Sequence, residues 1–167
     1  MRRNFLKIIG SYFIGFMVYP FSSAIANNLI GYNSKLNKDE SEYNIINPDL
    51  TDEQKKIMFD QATEKSGSSI LNKEKREGTY HCANCGVKLF ESTAKFDSGT
   101  GWPSFTEAIP GVFKTKIDYS FGMKRIEYHC ANCGVHHGHV FADGPSETGK
   151  RFCNNGLCLI FRPSSTN

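Results

Sequence analysis

Short runs of apolar or alternating side chains recur through the second half of the chain, with glycine, proline, aspartate and asparagine between them. The clearest runs are residues 112–117, 126–129, 138–141 and 157–161. Runs of this length separated by turn-forming residues are typical of antiparallel strands. The pattern therefore predicts a mainly β domain with antiparallel pairing.

One segment before these runs has a helical pattern. Thr51 and Gln54, three residues apart, have the form of a capping box at a helix start, and Gly67 is suited to end the helix. This segment is expected to be a packing element without a catalytic role. Its apolar positions, which we expect to face the core, are Ile57, Met58 and Ala62.

The first 26 residues have the layout of an export signal. Arg2, Arg3 and Lys7 precede an uncharged apolar run over residues 8–25, and Ala24-Ile25-Ala26 fits a small-x-small cleavage site. An uncleaved membrane anchor is the alternative, because the run is close to the roughly 20 residues that span a bilayer. We predict a cleaved signal.

The opening Arg-Arg-Asn-Phe-Leu-Lys also resembles a twin-arginine signal, which carries folded proteins across a membrane. The export prediction places the mature protein outside the cytosol, most simply in the periplasm. Residues 27–47 are rich in Asn, Lys and Ser and predict a linker or loose arm. Residues 48–167 then form a single domain.

The charge balance argues against a nucleic-acid partner. The net charge of +3 comes entirely from Arg2, Arg3 and Lys7, because the remaining 17 basic residues are matched by 17 acidic ones. A nucleic-acid-binding domain would carry a basic surface.

The chain contains an internal repeat. Tyr80-His81-Cys82-Ala83-Asn84-Cys85-Gly86-Val87 recurs letter for letter at residues 128–135, which predicts two equivalent structural units. Each copy holds a Cys-x-x-Cys-Gly knuckle, and four thiolates complete the tetrahedral shell of a structural zinc ion. The predicted ligands of one zinc ion are Cys82, Cys85, Cys130 and Cys133.

Two disulfides, or a redox-active dithiol, are the competing interpretations of the knuckles. Neither explains why the two knuckles are identical, whereas a shared metal ion does. His81 and His129 precede the knuckles and are able to replace a sulfur ligand, but with four sulfurs present we expect ordinary strand residues there.

Cys153 and Cys158 lie outside the knuckles. A basic neighbour and nearby polar groups favour the thiolate of Cys153, which is the reactive form. A lone cysteine is more often a buried small hydrophobe, so the surrounding motifs matter. Trp102 lies in a loop braced by Gly and Pro, and His136 and His139 are able to reach one pocket.

At these residues the sequence resembles the methionine-R-sulfoxide reductase family, the B-type enzymes. The matching segments are Lys95-Phe96-Asp97-Ser98-Gly99-Thr100-Gly101-Trp102-Pro103-Ser104-Phe105, residues 136–144, and Arg151-Phe152-Cys153 with Asn155. The resemblance covers about residues 50–161. It implies a zinc-stapled, tent-like β fold with a short N-terminal helix, and reduction of the R epimer of methionine sulfoxide.

The resemblance also implies roles. Cys153 would attack the sulfoxide sulfur and become a sulfenic acid, while His136 and His139 hold and protonate the leaving oxygen. Which histidine is the general acid stays open. The residues implied to bind the substrate are Trp102, Arg151, Asn155 and Phe141.

The chain departs from the family at the recycling step. Many relatives carry a recycling cysteine where this chain has Thr100. Cys158 would resolve the sulfenic acid if residues 154–157 formed a tight hairpin turn, whereas an extended segment would hold it about 16 Å from Cys153. The alternative is an external thiol, such as a thioredoxin-like protein.

Two further departures concern the pocket. His137 stands where relatives usually have an apolar residue, so it either alters local pKa values or faces solvent. Residues 64–69 replace a segment that usually carries Pro-Phe, which puts the pocket rim in question.

Two other functions compete with a repair enzyme for oxidised methionine, free or in proteins. A tent-like zinc domain can bind proteins or small ligands without redox chemistry, and Cys153 would then be unreactive. A zinc enzyme would need an open coordination position, which four thiolates do not leave. A membrane partner is expected only if the signal stays uncleaved.

Overall fold

The computed structural model describes residues 45–165. The predicted signal and most of the predicted linker lie outside these residues, and the domain boundary at residue 48 stays a prediction. No helix within residues 45–165 has the length and apolar character needed to cross a membrane.

Helix α1 covers Asp52–Phe59 and begins at the predicted capping box. The backbone N–H of Gln54 donates to the Thr51 hydroxyl at 3.2 Å, and the Thr51 N–H donates to the Gln54 side chain at 3.0 Å. Two orphan N–H groups are satisfied in this way. Ile57 and Met58 are buried, as predicted.

The predicted end of α1 was wrong. Gln61 has a φ of 57°, in the left-handed region, and the chain leaves the helix there instead of continuing to Gly67. Ala62 therefore lies beyond the helix, although it still packs against the core.

Nine strands follow within the described part of the chain, and every pairing is antiparallel. They are β1 (Gly78–Cys82), β2 (Lys88–Glu91), β3 (Lys95–Phe96), β4 (Ser104–Phe105), β5 (Phe113–Asp118), β6 (Arg125–Cys130), β7 (His136–Phe141), β8 (Arg151–Asn154) and β9 (Leu159–Pro163). Short 3₁₀ turns lie at Ile70–Lys73, Ser92–Ala94, Ser120–Gly122 and Gly156–Cys158.

The strands form two sheets. The smaller has the order β2-β1-β9, and the larger has the order β3-β4-β8-β7-β6-β5. The predicted class, mainly β and antiparallel with one short helix, is confirmed. The four predicted runs fall on β5, β6, β7 and β9.

Aromatic rings from both sheets form the core. Phe90 of β2 stacks on Phe105 of β4 with 4.0 Å between ring centroids, and Tyr80 of β1 contacts the same ring at 5.0 Å. Within the larger sheet, Phe113 meets Tyr128 at 4.6 Å. Because successive side chains on a strand point to opposite faces, the residues that alternate with these rings lie on the outer face of the larger sheet.

Helix α1 packs against β7 and the 3₁₀ turn that follows β8. Gln54 fixes this contact by donating from its Nε2 to the carbonyl of Leu157 at 3.0 Å. The chain that leaves α1 is thereby held beside the residues that follow Cys153.

Candidate active site and metal centre

The two Cys-x-x-Cys knuckles meet in space. The sulfurs of Cys82 and Cys133 are 3.7 Å apart, and those of Cys85 and Cys130 are 3.6 Å apart. All four sulfurs lie within 4.8 Å of one another. A disulfide joins sulfurs at about 2 Å, so the knuckle cysteines are not joined as disulfides and are free thiols.

The spacing fits a metal ion. A tetrahedral shell with metal–sulfur bonds of about 2.3 Å has sulfur–sulfur edges of about 3.8 Å. His81 and His129 are engaged elsewhere, because their Nδ1 atoms donate to the carbonyls of Gly86 at 2.9 Å and Gly134 at 3.1 Å. Four sulfurs fill such a shell, and no coordination position is left for a substrate.

A β-bulge brings His136 and His139 to one face of the sheet. In a regular strand, residues three apart point to opposite faces. The pairing of β6 with β7 shifts after Tyr128, so that His137 becomes an extra residue. The ring centroids of His136 and His139 are consequently 5.7 Å apart.

Cys153 and His139 are direct cross-strand neighbours in the β7–β8 pair. The same row continues to Glu127 on β6 and to Ser104 on β4. Directly opposed residues have Cβ atoms about 4.5–5.5 Å apart. The register therefore sets a thiol and an imidazole side by side on the outer face.

A small pocket of about 100 Å³ opens at this row. Most of the residues predicted for the site converge on it, whereas His136 and Arg151 do not line it. The predicted residues that line it are Trp102, His139, Phe141, Cys153 and Asn155.

His139 is oriented by a carboxylate. Its Nε2 is 2.8 Å from Oδ2 of Asp118, which also accepts from Nη2 of Arg125 at 2.7 Å. Hydrogen bonds from Ser120 hold the pKa of Asp118 well below its usual range, and His139 adds to this effect. Burial lowers the pKa of His139, partly offset by Asp118. The neutral imidazole donates through Nε2–H, which leaves Nδ1 as an acceptor.

His136 has partners at both ring nitrogens. Its Nδ1 is 2.5 Å from Oε1 of Glu127, and its Nε2 is 3.3 Å from Nδ2 of Asn155. The Asn155 amide is fixed in this orientation because its Oδ1 accepts from the N–H of Glu64 at 3.0 Å. Nε2 of His136 is therefore an acceptor, and its Nδ1–H donates to Glu127.

Glu127 is a buried carboxylate, 2% exposed. Burial acts to raise the pKa of Glu127, but the hydrogen bonds from His129 and His136 outweigh it and hold that pKa below its usual range. Lys116 adds an ion pair at 3.4 Å. Glu127 therefore stays ionised and anchors the second imidazole of the site.

Opposing influences act on the thiol of Cys153. Burial raises its pKa, whereas Arg151 and the Thr100 hydroxyl lower it, and the balance leaves the pKa above its usual value. Arg151 is itself bound by Asp143, with Nε–Oδ1 at 2.8 Å and Nη2–Oδ2 at 2.9 Å. The predicted cationic neighbour is present, but burial outweighs its effect.

Arg151 also fixes one wall of the pocket. Its guanidinium carbon lies 4.4 Å from the ring centroid of Phe141. Arg151 is 6% exposed. From this buried position it packs on Phe141 and places a positive charge near Cys153.

Residues 64–69 brace the pocket in place of the usual segment. The indole N–H of Trp102 donates to the carbonyl of Glu64 at 3.1 Å, and the N–H of Gly67 donates to the carbonyl of Gly101 at 2.8 Å. The buried Glu64 carboxylate accepts from the N–H groups of Gly156 at 2.5 Å and Leu157 at 3.1 Å. Residues 64–69 thus form a pocket rim that is hydrogen-bonded both to the Trp102 loop and to the turn after Cys153.

Cys158 does not sit across a hairpin from Cys153. Strand β8 pairs with β7 and β4, whereas β9 pairs with β1 in the other sheet. Cys158 is 0% exposed, and its sulfur lies 3.5 Å from the carbonyl oxygen of His136. The tight hairpin on which the resolving role depended is not formed, because a 3₁₀ turn sends the chain to the smaller sheet.

His137 neither faces solvent nor reaches the pocket. It is 0% exposed, with its ring centroid 5.5 Å from that of Phe113 and 6.4 Å from that of Tyr128. Neither ring nitrogen has a hydrogen-bond partner within residues 45–165. Burial lowers the pKa of His137 to about 3, so the ring stays neutral.

Four supporting carboxylates, those of Asp118, Glu127, Glu64 and Asp143, were not found from the sequence. Asp118 and Glu127 lie on β5 and β6, where the sequence pattern assigned no role to either of them. Glu64 lies in an irregular segment. A usable signal existed for Glu127, because it directly precedes the second copy of the repeated Tyr-His-Cys sequence. That position lies in the row of residues that faces the pocket.

The chain is similar to known proteins over most of its length. The SelR domain matches residues 50–163. A peptide methionine sulfoxide reductase MsrB of Variovorax paradoxus (strain S110) is 54% identical over 102 residues, which are 60% of this chain and 75% of the relative.

Proteins with the same name from two other organisms are also similar to this chain. The one of Methanosarcina barkeri (strain Fusaro) is 45% identical over 126 residues, 75% of this chain and 87% of the relative. The one of Leptospira interrogans (serovar Lai) is 43% identical over 131 residues, 78% of this chain and 98% of the relative. Because the SelR match covers more than half of the chain and includes both knuckles and the pocket residues, this chain belongs to the SelR domain family.

Proposed function

We propose that this protein reduces the R epimer of methionine sulfoxide in polypeptides to methionine, with Cys153 as the nucleophile. The observation that carries the proposal is the direct pairing of Cys153 with His139 at a pocket walled by Trp102. The activity of the MsrB relatives, given by their names, supports the same reaction.

His139 is the residue we assign to proton transfer. Its Nε2–H is held by Asp118, so Nδ1 is the ring nitrogen that can take the proton of the Cys153 thiol. The resulting imidazolium then donates that proton to the sulfoxide oxygen. This relay suits a thiol whose pKa is raised by burial, because the base removes the proton as the attack begins.

The sulfur of Cys153 attacks the sulfoxide sulfur and forms a transient S–S bond. The protonated oxygen then passes to the cysteine sulfur, as both the S–S bond and the S–O bond to methionine break. A thiol and a sulfoxide thus become a sulfenic acid and a thioether, so methionine is reduced and Cys153 is oxidised.

His136 is assigned a positioning role, because both its ring nitrogens are engaged and it is 1% exposed. It holds Asn155 at the pocket wall. Trp102 and Phe141 pack on the methyl and methylene groups of the substrate. Asn155 shapes the pocket wall, because its amide is already bonded to His136 and to the backbone of Glu64 and His137.

Recycling is assigned to an external thiol. Two thiol groups of a thioredoxin-like reductant reduce the sulfenic acid to Cys153, with release of water and formation of a disulfide in the reductant. Thr100 cannot form a disulfide, and Cys158 would have to leave its buried position to reach the pocket.

The test uses the purified protein, the separate R and S epimers of an N-blocked methionine sulfoxide, and dithiothreitol. We expect turnover of the R epimer alone, loss of turnover in Cys153→Ser, and unchanged turnover in the control Cys158→Ser. Turnover by Cys153→Ser would contradict the assignment. No turnover of either epimer by the wild-type protein would favour the ligand-binding interpretation.

We infer that the four knuckle sulfurs bind one zinc ion with a structural role. Four thiolates at tetrahedral spacing are the donor set that structural zinc prefers. Elemental analysis should give one zinc per chain in both the wild-type protein and Cys153→Ser. A different metal, or a loss of metal in Cys153→Ser, would overturn this inference.

We also propose that residues 1–26 direct export and are removed. The basic start, the apolar run and the small-x-small site support this proposal. Cell fractionation should recover the protein in the periplasmic fraction, with a mature N-terminus at Asn27. Recovery in the membrane fraction with the full N-terminus would indicate an uncleaved anchor.

A further inference from the structure

An aromatic side chain is presented to solvent at the tip of the β5–β6 hairpin. Phe121 is 86% exposed, and its neighbours Tyr119 and Met123 are 68% and 57% exposed. Phe121 also has a φ of 58°, in the left-handed region that non-glycine residues rarely adopt. Such exposure and strain favour a contact surface over a packing element.

The tip is fixed to the active site by polar contacts. The N–H of Ser120 donates to Oδ1 of Asp118 at 2.8 Å, and Nη2 of Arg125 donates to the Ser120 hydroxyl at 2.8 Å. The guanidinium of Arg125 lies 5.5 Å from the centroid of the Phe121 ring. Because Asp118 also binds His139, the exposed ring is held at a set position relative to the catalytic imidazole.

A groove runs from this ring to the pocket. It has a volume of about 540 Å³ and is lined by residues 60–63, by Phe121 and Arg125, and by the active-site residues Asp118, Glu127, His136 and His139. The pocket at Cys153, of about 100 Å³, shares Arg125 and His139 with the groove. The pocket is sized for one side chain, whereas the groove has room for the residues on either side of it.

We propose that Phe121 forms a docking surface for apolar residues that flank methionine sulfoxide in an extended polypeptide. This inference rests on the proposed function and adds the sequence context of the substrate. The occupant follows from continuity, because the groove leads from Phe121 directly to the pocket that receives the sulfoxide.

The same hairpin supplies a matched control. Ile117 is 51% exposed and pairs with Ile126, whose other neighbour is Val140. This row alternates with the row of Glu127 and His139, so Ile117 lies on the opposite face of the sheet from the groove. A change at Ile117 removes exposed apolar area from the hairpin without touching the proposed docking surface.

The experiment compares the wild-type protein, Phe121→Asn and Ile117→Thr. Asparagine tolerates the left-handed backbone, so Phe121→Asn removes the ring without adding strain. The substrates are free methionine-R-sulfoxide and two peptides with one such residue each, flanked by leucines or by serines, with dithiothreitol as reductant.

We expect Phe121→Asn to lower kcat/KM by about tenfold for the leucine-flanked peptide, through KM. Activity on the free sulfoxide should stay within about twofold of wild type, and Ile117→Thr should match wild type on all three substrates. Equal losses on peptide and free substrate, or no loss on either peptide, would overturn the docking surface.

Other occupants give different results. A dimer that dissociates in Phe121→Asn, or vesicle binding that Phe121→Asn abolishes while peptide kinetics stay unchanged, would overturn the proposal in favour of a second copy or a membrane. Failure of the proposed function is distinguishable, because wild-type protein would then reduce none of the three substrates.

Discussion

The two copies of the repeated sequence have the same backbone fold, but only the second lies beside the residues of the candidate active site. In the first hairpin, residues 78–91, the Cys82 N–H donates to the Val87 carbonyl at 2.9 Å; in the second, residues 125–141, Cys130 and Val135 repeat this bond at the same distance. Both hairpins carry a one-residue bulge after the tyrosine. Identical sequence therefore gives an identical backbone.

The residues just outside the repeat differ. The bulge brings Lys88 and Glu91 together in the first hairpin, where they form a half-buried ion pair. At the corresponding positions the second hairpin has His136 and His139. The first hairpin ends in an edge strand, β2, whereas β7 is flanked by β8, which carries Cys153. The repeated sequence therefore determines the backbone of each hairpin. The four residues that follow it, and the strand that pairs with them, determine whether the hairpin carries catalytic groups.

The largest expected effect tests whether the two hairpins are equal partners at the metal centre. Cys82→Ser and Cys130→Ser should both release the metal and unfold much of the domain, because each removes one of four ligands of a shared ion. Metal content and thermal melting measure the effect. A large loss for one variant with retention of metal in the other would break the equivalence.

The second prediction exchanges residues at corresponding positions of the two hairpins, Glu91 and His139. His139→Glu gives the second hairpin the residue of the first, and it should lower kcat/KM at least 100-fold because the site loses its proton relay. Glu91→His, the reverse change on the edge strand, should leave activity unchanged. Comparable effects of the two changes on steady-state kinetics would mean that the catalytic assignment of β7 is wrong.

The third prediction concerns the neighbour of β7. A Cβ at Gly138 would lie 2.0 Å from the carbonyl oxygen of Cys153, so Gly138→Ala must push β8 away from β7. We expect a loss of about 1–3 kcal/mol in unfolding free energy, and a fall in kcat that exceeds tenfold. Denaturant unfolding and kinetics measure both effects, and an unchanged metal content serves as the control. Unchanged activity would show that the spacing of Cys153 and His139 is not critical.

The smallest expected effect comes from giving the second hairpin the apolar bulge residue of the first. His137 corresponds to Leu89, and both are fully buried at the bulge. His137→Leu should raise the unfolding free energy at pH 7 by about 1 kcal/mol, because it removes a buried polar ring without hydrogen-bond partners in residues 45–165. Activity should be unchanged. A destabilised variant would mean that the ring makes a favourable contact that leucine cannot replace.

The same substitution should flatten the pH dependence of stability. The folded-state pKa of His137 is about 3, below its usual value of 6.5. As the pH falls below 6.5 the unfolded chain binds a proton that the folded chain does not, so stability falls by up to about 1.4 kcal/mol per pH unit. Denaturant unfolding between pH 7 and pH 4 should show this slope in wild type and a smaller slope in His137→Leu.

Local signals predicted the parts of the molecule that local interactions determine. The capping box at Thr51 and Gln54 and the β runs formed as expected, because each depends on residues close in sequence. The meeting of the knuckles was predicted although they lie about 45 residues apart, because two identical sulfur pairs complete one tetrahedral shell only when they share it. The predicted end of α1 was wrong, since Gln61 rather than a glycine adopts the left-handed conformation after the helix.

The rest of the site depends on contacts between distant segments. The common face of His136 and His139 requires a bulge that the sequence of β7 does not reveal. Asp118 reaches His139 only because β5 and β7 flank β6, and Glu64 binds the turn after Cys153 across about 90 residues of chain. The route from β8 to β9 likewise depends on which sheet each strand joins.

The shared metal centre ties ligand binding to folding. Each knuckle alone offers two sulfurs, so neither half is a complete site, and the halves meet only after a loop of about 45 residues closes. Such closure costs about 3 kcal/mol by the logarithmic loop relation. The free energy of metal binding offsets this cost only once both hairpins exist. The metal should therefore bind late and cooperatively, and its chelation should accelerate unfolding of the whole domain.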